Sequence, residues 1–207
     1  MSSVNSPSIW DEIYQDGRAG WDLGRPAPVF QRLLEARRFK PGRLLVICAG
    51  RGHDARLFAR HGFEVTAIDF SGEAVKAMRG LADPEALVEI HQADLFDLPA
   101  SWEAGFDYVL EYTCFCAIDP QRREDYAERV ARLLKPGGVL IALAFPVSSH
   151  SGGPPFAVSP ADYVRRFRSR GFTLIHRETP PDSVPQRRDE EELVILRKGG
   201  SPETARQ

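Results

Sequence analysis

Cysteine is scarce in this chain, with three residues in 207, at positions 48, 114 and 116. An odd count without framework spacing argues against a disulfide scaffold and suits a reducing compartment. An excess of one charge is also absent, since 27 Lys and Arg stand against 29 Asp and Glu for a formal net charge of -2. Without a basic stripe to track phosphates, nucleic acid is not expected as a partner. No apolar run approaches the ~20 residues of a membrane span. The segment Met1 to Pro7 carries neither the basic region nor the apolar core of a secretory signal. These absences point to a cytoplasmic protein with no membrane partner. His53, His61, His91, His150 and His176 are dispersed and show no metal-ligand spacing, so no metal is expected.

There is, however, enough apolar material for one substantial core. Hydrophobic residues make up 43% of the chain and charged residues 27%, which suits a single domain over 1–207. The polar ends, 1–8 and 199–207, are expected to fray. Trp10 to Asp16 predicts a short helix, and Gly17, Gly20, Gly24, Pro26 and Pro28 mark an irregular stretch after it. Residues 9–28 are expected to form a lid that closes on a ligand, ahead of a helix at 29–38. Beyond that point the pattern alternates, with strands expected at 43–48, 64–68, 87–91, 106–110, 139–145, 172–178 and 191–197. Helices are expected between them at 53–61, 71–80, 120–134 and 159–170. This is the pattern of an α/β fold, a doubly wound and mostly parallel seven-stranded sheet with helices on both faces. Its ligand site should lie at the carboxyl ends of the strands. The pair at 172–178 and 191–197 reads as a hairpin, which makes the last strand antiparallel.

The densest signal is Leu44-Leu45-Val46-Ile47-Cys48-Ala49-Gly50-Arg51-Gly52, followed seventeen residues after Gly52 by Asp69. A buried strand runs into a glycine turn, and a second strand ends on a carboxylate with Phe70 beside it. Glycines at 50 and 52 let backbone approach a ligand, and an acid at the next strand end accepts both hydroxyls of a ribose. A nicotinamide dinucleotide wants G-x-G-x-x-G, whose third glycine is missing here. Cys48, Gly50 and Gly52 fall at alternate positions, which suits S-adenosylmethionine, a cofactor with no pyrophosphate to cradle. Gln92-Ala93-Asp94-Leu95-Phe96 agrees with that choice, because an acid there meets the adenine amino group and apolar neighbours cover the ring. So does Leu133-Leu134-Lys135-Pro136-Gly137-Gly138-Val139-Leu140, a helix end, a turn and a strand start.

Together these residues resemble a class I S-adenosylmethionine-dependent methyltransferase from about Val46 to Arg197, a family whose sheet order is 3-2-1-4-5-7-6. The family's first glycine is Cys48 here. A narrower resemblance, to the thiopurine and thiol/halide methyltransferases, rests on three separate patches. They are Trp10-Asp11-Glu12-Ile13-Tyr14 with Gly20-Trp21-Asp22-Leu23-Gly24-Arg25-Pro26-Ala27-Pro28, then Phe115-Cys116-Ala117-Ile118-Asp119-Pro120, and His150-Ser151-Gly152-Gly153-Pro154-Pro155-Phe156. The last favours the thiol/halide branch. By that resemblance Trp10, Tyr14 and Trp21 close over the cofactor, and Cys48, Gly50 and Gly52 line its methionine side. Asp69 holds the ribose, Asp94 and Leu95 the adenine, Phe70 and Glu111 are further cofactor contacts, and Tyr112 lies near the reacting methyl. A sulfonium over a ring face gains ~0.5–2 kcal/mol.

Methyl transfer from a sulfonium to a soft anion cancels charge as the transition state forms, which water opposes. A closed apolar pocket that aligns the partners therefore supplies most of the rate. The implied activity is transfer to a small nucleophile: a thiol, bisulfide, thiocyanate or halide. Such nucleophiles need no strong base. Tyr112 could hydrogen-bond the nucleophile, with Phe115 and Phe156 walling the pocket, while Glu111 is either a general base or a loop anchor. Arg187 and Arg188, beside Pro185, are either plain surface charge or a pair that draws an anion toward the cleft by steering. Cys48, Cys114 and Cys116 sit at the ends of strands that neighbour each other in the expected order. They are either packing residues or three thiols gathered for a trivalent arsenic species. Alternative readings are a thiopurine, selenium, tellurium or arsenic acceptor, or a non-catalytic sensor of S-adenosylmethionine. The expected partner is a small molecule, and the expected state a monomer or weak homodimer.

Overall fold

The computed structural model describes residues 4–200; the parts of the expected frayed ends at 1–3 and 201–207 lie outside them. Strands β1 (Arg43–Ile47), β2 (Glu64–Asp69), β3 (Val88–Gln92), β4 (Phe106–Tyr112), β5 (Leu134–Ala144), β6 (Phe172–Glu178) and β7 (Glu192–Lys198) form one sheet. Their order is β3-β2-β1-β4-β5-β7-β6. The pairs from β3 across to β5 are parallel, and β7 runs antiparallel to both β5 and β6. Both the order and the antiparallel last strand agree with the expectation from sequence.

Alternation within the central strands sorts their side chains onto two faces. Leu44 and Val46 of β1 pack with Val65, Leu110 and Ile141 against α2 (Pro28–Glu35) and α3 (His53–Arg60). Leu45 and Ile47 pack with Val109, Leu140 and Val194 against α5 (Arg123–Leu133) and α6 (Pro160–Arg168). Tyr126, Tyr163 and Phe167 fill the second face without exposure. The two remaining helices are α1 (Pro7–Gln15) and α4 (Gly72–Gly80). Local chemistry sets several starts: Ser71 and Ser159 accept the Ala74 and Asp162 amides as caps of α4 and α6. Proline opens α1, α2 and α6, where its missing N–H costs no helical bond.

Several boundaries differ from expectation for identifiable reasons. Helix α1 begins at Pro7, inside the stretch expected to fray, because proline suits a first turn and Trp10 is buried. Helix α5 begins at Arg123 rather than 120, since the Asp119 carboxylate caps a separate 3-10 turn over Pro120–Arg122. Strand β5 begins at Leu134, where Leu134 pairs with Phe106 across an irregularity in register. The exposed prolyl-glycyl stretch after it continues the strand rather than forming a free turn. Among the described residues no helix is long and apolar enough to cross a membrane.

The sheet reverses its direction of growth between β1 and β4, so the loops after those strands diverge and leave a crevice. Gly52 caps α3 with φ of +71°, and a Cβ there would lie 2.6 Å from Met78 Cγ. Replacing Gly52 with Ala is therefore expected to cost about 1–3 kcal/mol through a left-handed backbone and an overpacked contact. Urea midpoints of the two proteins measure it.

Candidate active site

A cavity of about 570 Å³ fills the crevice, within the range of small-molecule sites. Its walls come from the residues that follow β1 to β5, from the amino-terminal segment, and from Gln186 and Arg187 ahead of β7. The antiparallel direction of β7 is what delivers Arg187 to the same end of the sheet as the parallel strands' carboxyl ends.

On the β2–β3 side, Asp69 is buried and its two carboxylate oxygens accept the Gly50 and Ser71 amides at 2.9 and 3.0 Å. Burial raises its pKa to about 6, against the pull of those amides. Phe70 lies beside it, and Asp94, Leu95 and Phe96 complete this end of the wall. The Asp94 carboxylate also accepts the Phe96 amide at 2.9 Å, which fixes the turn that carries Leu95. Gly50 has φ of +55°, and a Cβ there would come within 2.9 Å of the Tyr14 hydroxyl.

The amino-terminal segment closes the cavity with an aromatic cluster. The Trp21 ring stands edge-on to Trp10 and Tyr14, with centroids 5.4 and 5.6 Å away, and Trp21 Nε1 donates to the Tyr14 hydroxyl. Three acids pin this segment to the glycine turn and to α4. Asp11 accepts the Ser71 hydroxyl and the Glu73 amide, and Asp22 lies 3.1 Å from Arg51 Nε and 3.2 Å from His53 Nε2. Asp54 is half-buried and accepts the Ala27 amide at 2.8 Å, and desolvation raises its pKa to about 6.

On the β4–β5 side, Arg187 is only 5% exposed. Its guanidinium donates to the Trp21 carbonyl at 2.7 Å and to the Tyr112 hydroxyl, and lies over the Phe145 ring at 4.5 Å. Glu191 is its buried counter-charge at 3.8 Å and accepts the Tyr112 hydroxyl. Arg122 stacks on Phe96 at 3.6 Å in the same wall, and Cys116, Pro154 and Pro155 are part of it too.

Trp10, Tyr14, Trp21, Cys48, Asp69, Phe70, Asp94 and Leu95 thus meet around one cavity. Others do not. Tyr112 lies outside the wall, because its hydroxyl is consumed by Arg187 and Glu191 and its ring packs on Phe30. Its place behind Arg187 makes it a support for that residue. Glu111 is buried beneath the loop after β4, where it accepts the Phe115 amide at 2.8 Å, so its carboxylate anchors a loop. Gly52 caps α3 behind the cavity. Phe115 belongs to the core against Tyr126 and Tyr163, and Phe156 folds back onto Gly153, so Phe145 and the two prolines take the places expected for them. Arg187, expected at the surface, is buried in the wall. Its exposed neighbour Arg188 is the surface charge. Cys48 and Cys114 form a disulfide rather than standing unpaired, because the ends of β1 and β4 bring their Cα atoms to 5.4 Å. Cys116 is the free thiol.

The family model for thiopurine S-methyltransferase (TPMT) matches residues 5–197. A probable thiol methyltransferase 2 from Arabidopsis thaliana is 36% identical over 84% of this chain and 78% of its own. Thiocyanate methyltransferase 1 from Brassica oleracea is 32% identical over 91% of this chain and 84% of its own. Among solved structures, the 1,6-didemethyltoxoflavin-N1-methyltransferase of Burkholderia thailandensis, with bound 1,6-didemethyltoxoflavin and S-adenosylhomocysteine, shares the fold at TM-score 0.70. It is 24% identical, and the match covers 93% of this chain and 87% of that one.

Burial pushes Glu111 up to about 7 from 4.5, even though two backbone amides and Arg123 favour its charged form. A carboxylate raised on folding contributes stability that is present below its unfolded pKa and lost as pH rises through the folded value. Replacing Glu111 with Gln keeps an acceptor for the Phe115 amide and removes the titration. The variant should therefore gain on the parent between pH 5 and 8.5, by up to roughly 3 kcal/mol, as read by urea midpoints at the two pH values.

Proposed function

Because the chain belongs to the thiopurine S-methyltransferase family and uses S-adenosylmethionine as methyl donor, we propose that its acceptor is a small soft anion. Thiols, bisulfide, thiocyanate and halide make up this class. The observation that carries the proposal is Arg187, a buried cation in an otherwise largely apolar wall on the β4–β5 side of the cavity.

The residues fit the donor. Asp69 offers a buried carboxylate at a strand end, with lone pairs left over for a ribose diol. Gly50 leaves room where a Cβ would collide with Tyr14. Phe70, Leu95 and Asp94 supply two apolar surfaces and one acceptor for an adenine ring and its amino group. When bound, the cofactor supplies an electrophilic methyl on a sulfonium.

The chain's own residues hold the acceptor in line and keep water away. Arg187 is already neutralised by Glu191, so it presents directed N–H bonds more than net charge, and these suit a weakly hydrated anion. Its contacts to the Trp21 carbonyl and Tyr112 hydroxyl fix the guanidinium plane before an acceptor arrives. Trp10, Tyr14 and Trp21 form an aromatic cover over the reacting centre, and residues 9–28 act as the lid that carries it. Orientation within such an enclosure is worth up to ~7–11 kcal/mol of barrier. Among the described residues, the acids in the wall are Asp69 and Asp94, on the cofactor side, and the wall contains no histidine or glutamate. That arrangement suits nucleophiles that arrive already ionised. An aromatic thiol is a second reading, favoured by the stacked surfaces of Phe145, Arg187, Phe96 and Arg122.

Formation of S-adenosylhomocysteine is the direct assay, with thiocyanate, iodide, bisulfide and a thiopurine offered separately. Turnover of thiocyanate or iodide is expected and should stay flat from pH 6.5 to 9. Silence with every soft nucleophile, alongside turnover of an oxygen or nitrogen acceptor, would end the proposal. Replacing Arg187 with Met should raise KM for thiocyanate about 10–100-fold, the worth of a charged hydrogen bond. Replacing Asp69 with Asn should instead weaken S-adenosylhomocysteine binding by a similar factor, measured by calorimetry.

A further inference from the structure

The cysteine pair is the feature of the cavity that methyl transfer leaves unused. Strands β1 and β4 are hydrogen-bonded neighbours whose last register pair is Ile47 with Glu111. Cys48 follows directly on β1, and Cys114 lies two residues beyond β4, so the bond between them ties the glycine turn to the loop after β4. Both residues belong to the cavity wall. They are not equally accessible, for Cys114 is 0% exposed while Cys48 keeps part of its surface open. The hold on Cys114 is firm, since Glu111 accepts the next amide along, from Phe115.

We propose that Cys48 is a covalent capture site for small thiols, distinct from the methyl-acceptor role of the cavity. The inference rests on the reading that soft anions enter this cavity. A thiolate RS⁻ attacks Cys48 Sγ, the sulfur open to the cavity. The Cys48–Cys114 bond breaks, an R–S–S–Cys48 mixed disulfide forms, and the electron pair leaves on Cys114 Sγ. A second RS⁻ then attacks the mixed disulfide, releasing RSSR and the Cys48 thiolate. Two thiols are oxidised for each protein disulfide reduced, and no other reagent is needed. Attack at the alternative sulfur is blocked by the burial of Cys114.

Cys116 does not compete for the bond. Its thiol donates to the Thr113 carbonyl, and burial together with the nearby Glu111 pushes its pKa up to about 12, so it stays protonated. Arg187 lies in the same wall and favours the approach of a thiolate. Halide and thiocyanate form no lasting bond to sulfur in this exchange, because the released thiolate reverses any attack. The site therefore separates thiols from other soft anions that the cavity admits. With the methionine end of the cofactor assigned to the glycine turn, cofactor and thiol would compete for the space over Cys48, and capture would belong to the cofactor-free protein.

The test uses the full chain, prepared without reductant and challenged with 2-mercaptoethanol, with acid quenching followed by intact mass and peptide mapping. At early quench times, before the second thiol releases it, up to one thiol adduct per chain is expected on Cys48, with Cys114 becoming open to alkylation after denaturation. Saturating S-adenosylhomocysteine should slow the adduct at least tenfold, and sodium thiocyanate at equal concentration should give none. Replacing Cys48 with Ser should abolish it. An adduct on Cys114 or Cys116 in place of Cys48, or a rate untouched by S-adenosylhomocysteine, would overturn the proposal. So would recovery of all three cysteines as free thiols after treatment with diamide. Methylation of thiocyanate by the reduced protein is assayed in parallel. Its failure alongside capture at Cys48 would remove the acceptor reading and leave the capture site standing.

Discussion

The carboxylate of Asp69 holds this site together. A charge buried that deeply is tolerated only if hydrogen-bond donors surround it, and the donors here are the main-chain amides of Gly50 and Ser71. One side chain thereby fixes the glycine turn after β1 and the start of α4. Ser71 passes the constraint on, because its hydroxyl donates to Asp11 of α1 while its oxygen caps α4. The β2–β3 side of the cavity and the helix that closes it are thus set by one chain of bonds.

Arg187 plays the matching part on the other side. It reaches the cavity only because β7 runs against its neighbours, and it stays there because Glu191, Tyr112, Phe145 and the Trp21 carbonyl each satisfy part of the guanidinium. Trp21 is the meeting point of the two systems, its carbonyl joined to Arg187 and its ring packed edge-on against Tyr14. Tyr112 and Glu111 sit on adjacent positions of β4 and therefore on opposite faces of the sheet. One braces Arg187, and the other braces the loop that carries Cys114.

The sheet order and the turn around Asp69 were legible in the sequence because both rest on local patterns. The apolar runs at Leu44 to Ile47 and Val65 to Ile68, with glycines after the first and Asp69 after the second, announce a nucleoside site whatever lies elsewhere. The Arg187 side of the cavity was not legible in the same way. Arg187 stands beside Arg188 among prolines and acids, the composition of a solvated loop, and its burial depends on partners 75 and 166 residues away in the chain. Tyr112 looks as suitable as Phe145 from its place at a strand end. Which of them faces the cavity depends on strand parity and on the pull of Glu191. The cysteine pair shows the same limit, since proximity of Cys48 and Cys114 follows from strand order while the bond depends on side-chain direction at the strand ends.

The contacts of Asp11, Asp22 and Asp54 have a further meaning for how such proteins can be recombined. The amino-terminal segment is keyed to this particular scaffold by Ser71, Arg51, His53 and the Asp54 carboxylate, none of which lies within the segment. An amino-terminal segment transplanted onto this scaffold has to satisfy those same four partners. Grafts between family members should carry residues 51–54 and Ser71 along with the first 28 residues, as one inheritable cassette split across three stretches of chain.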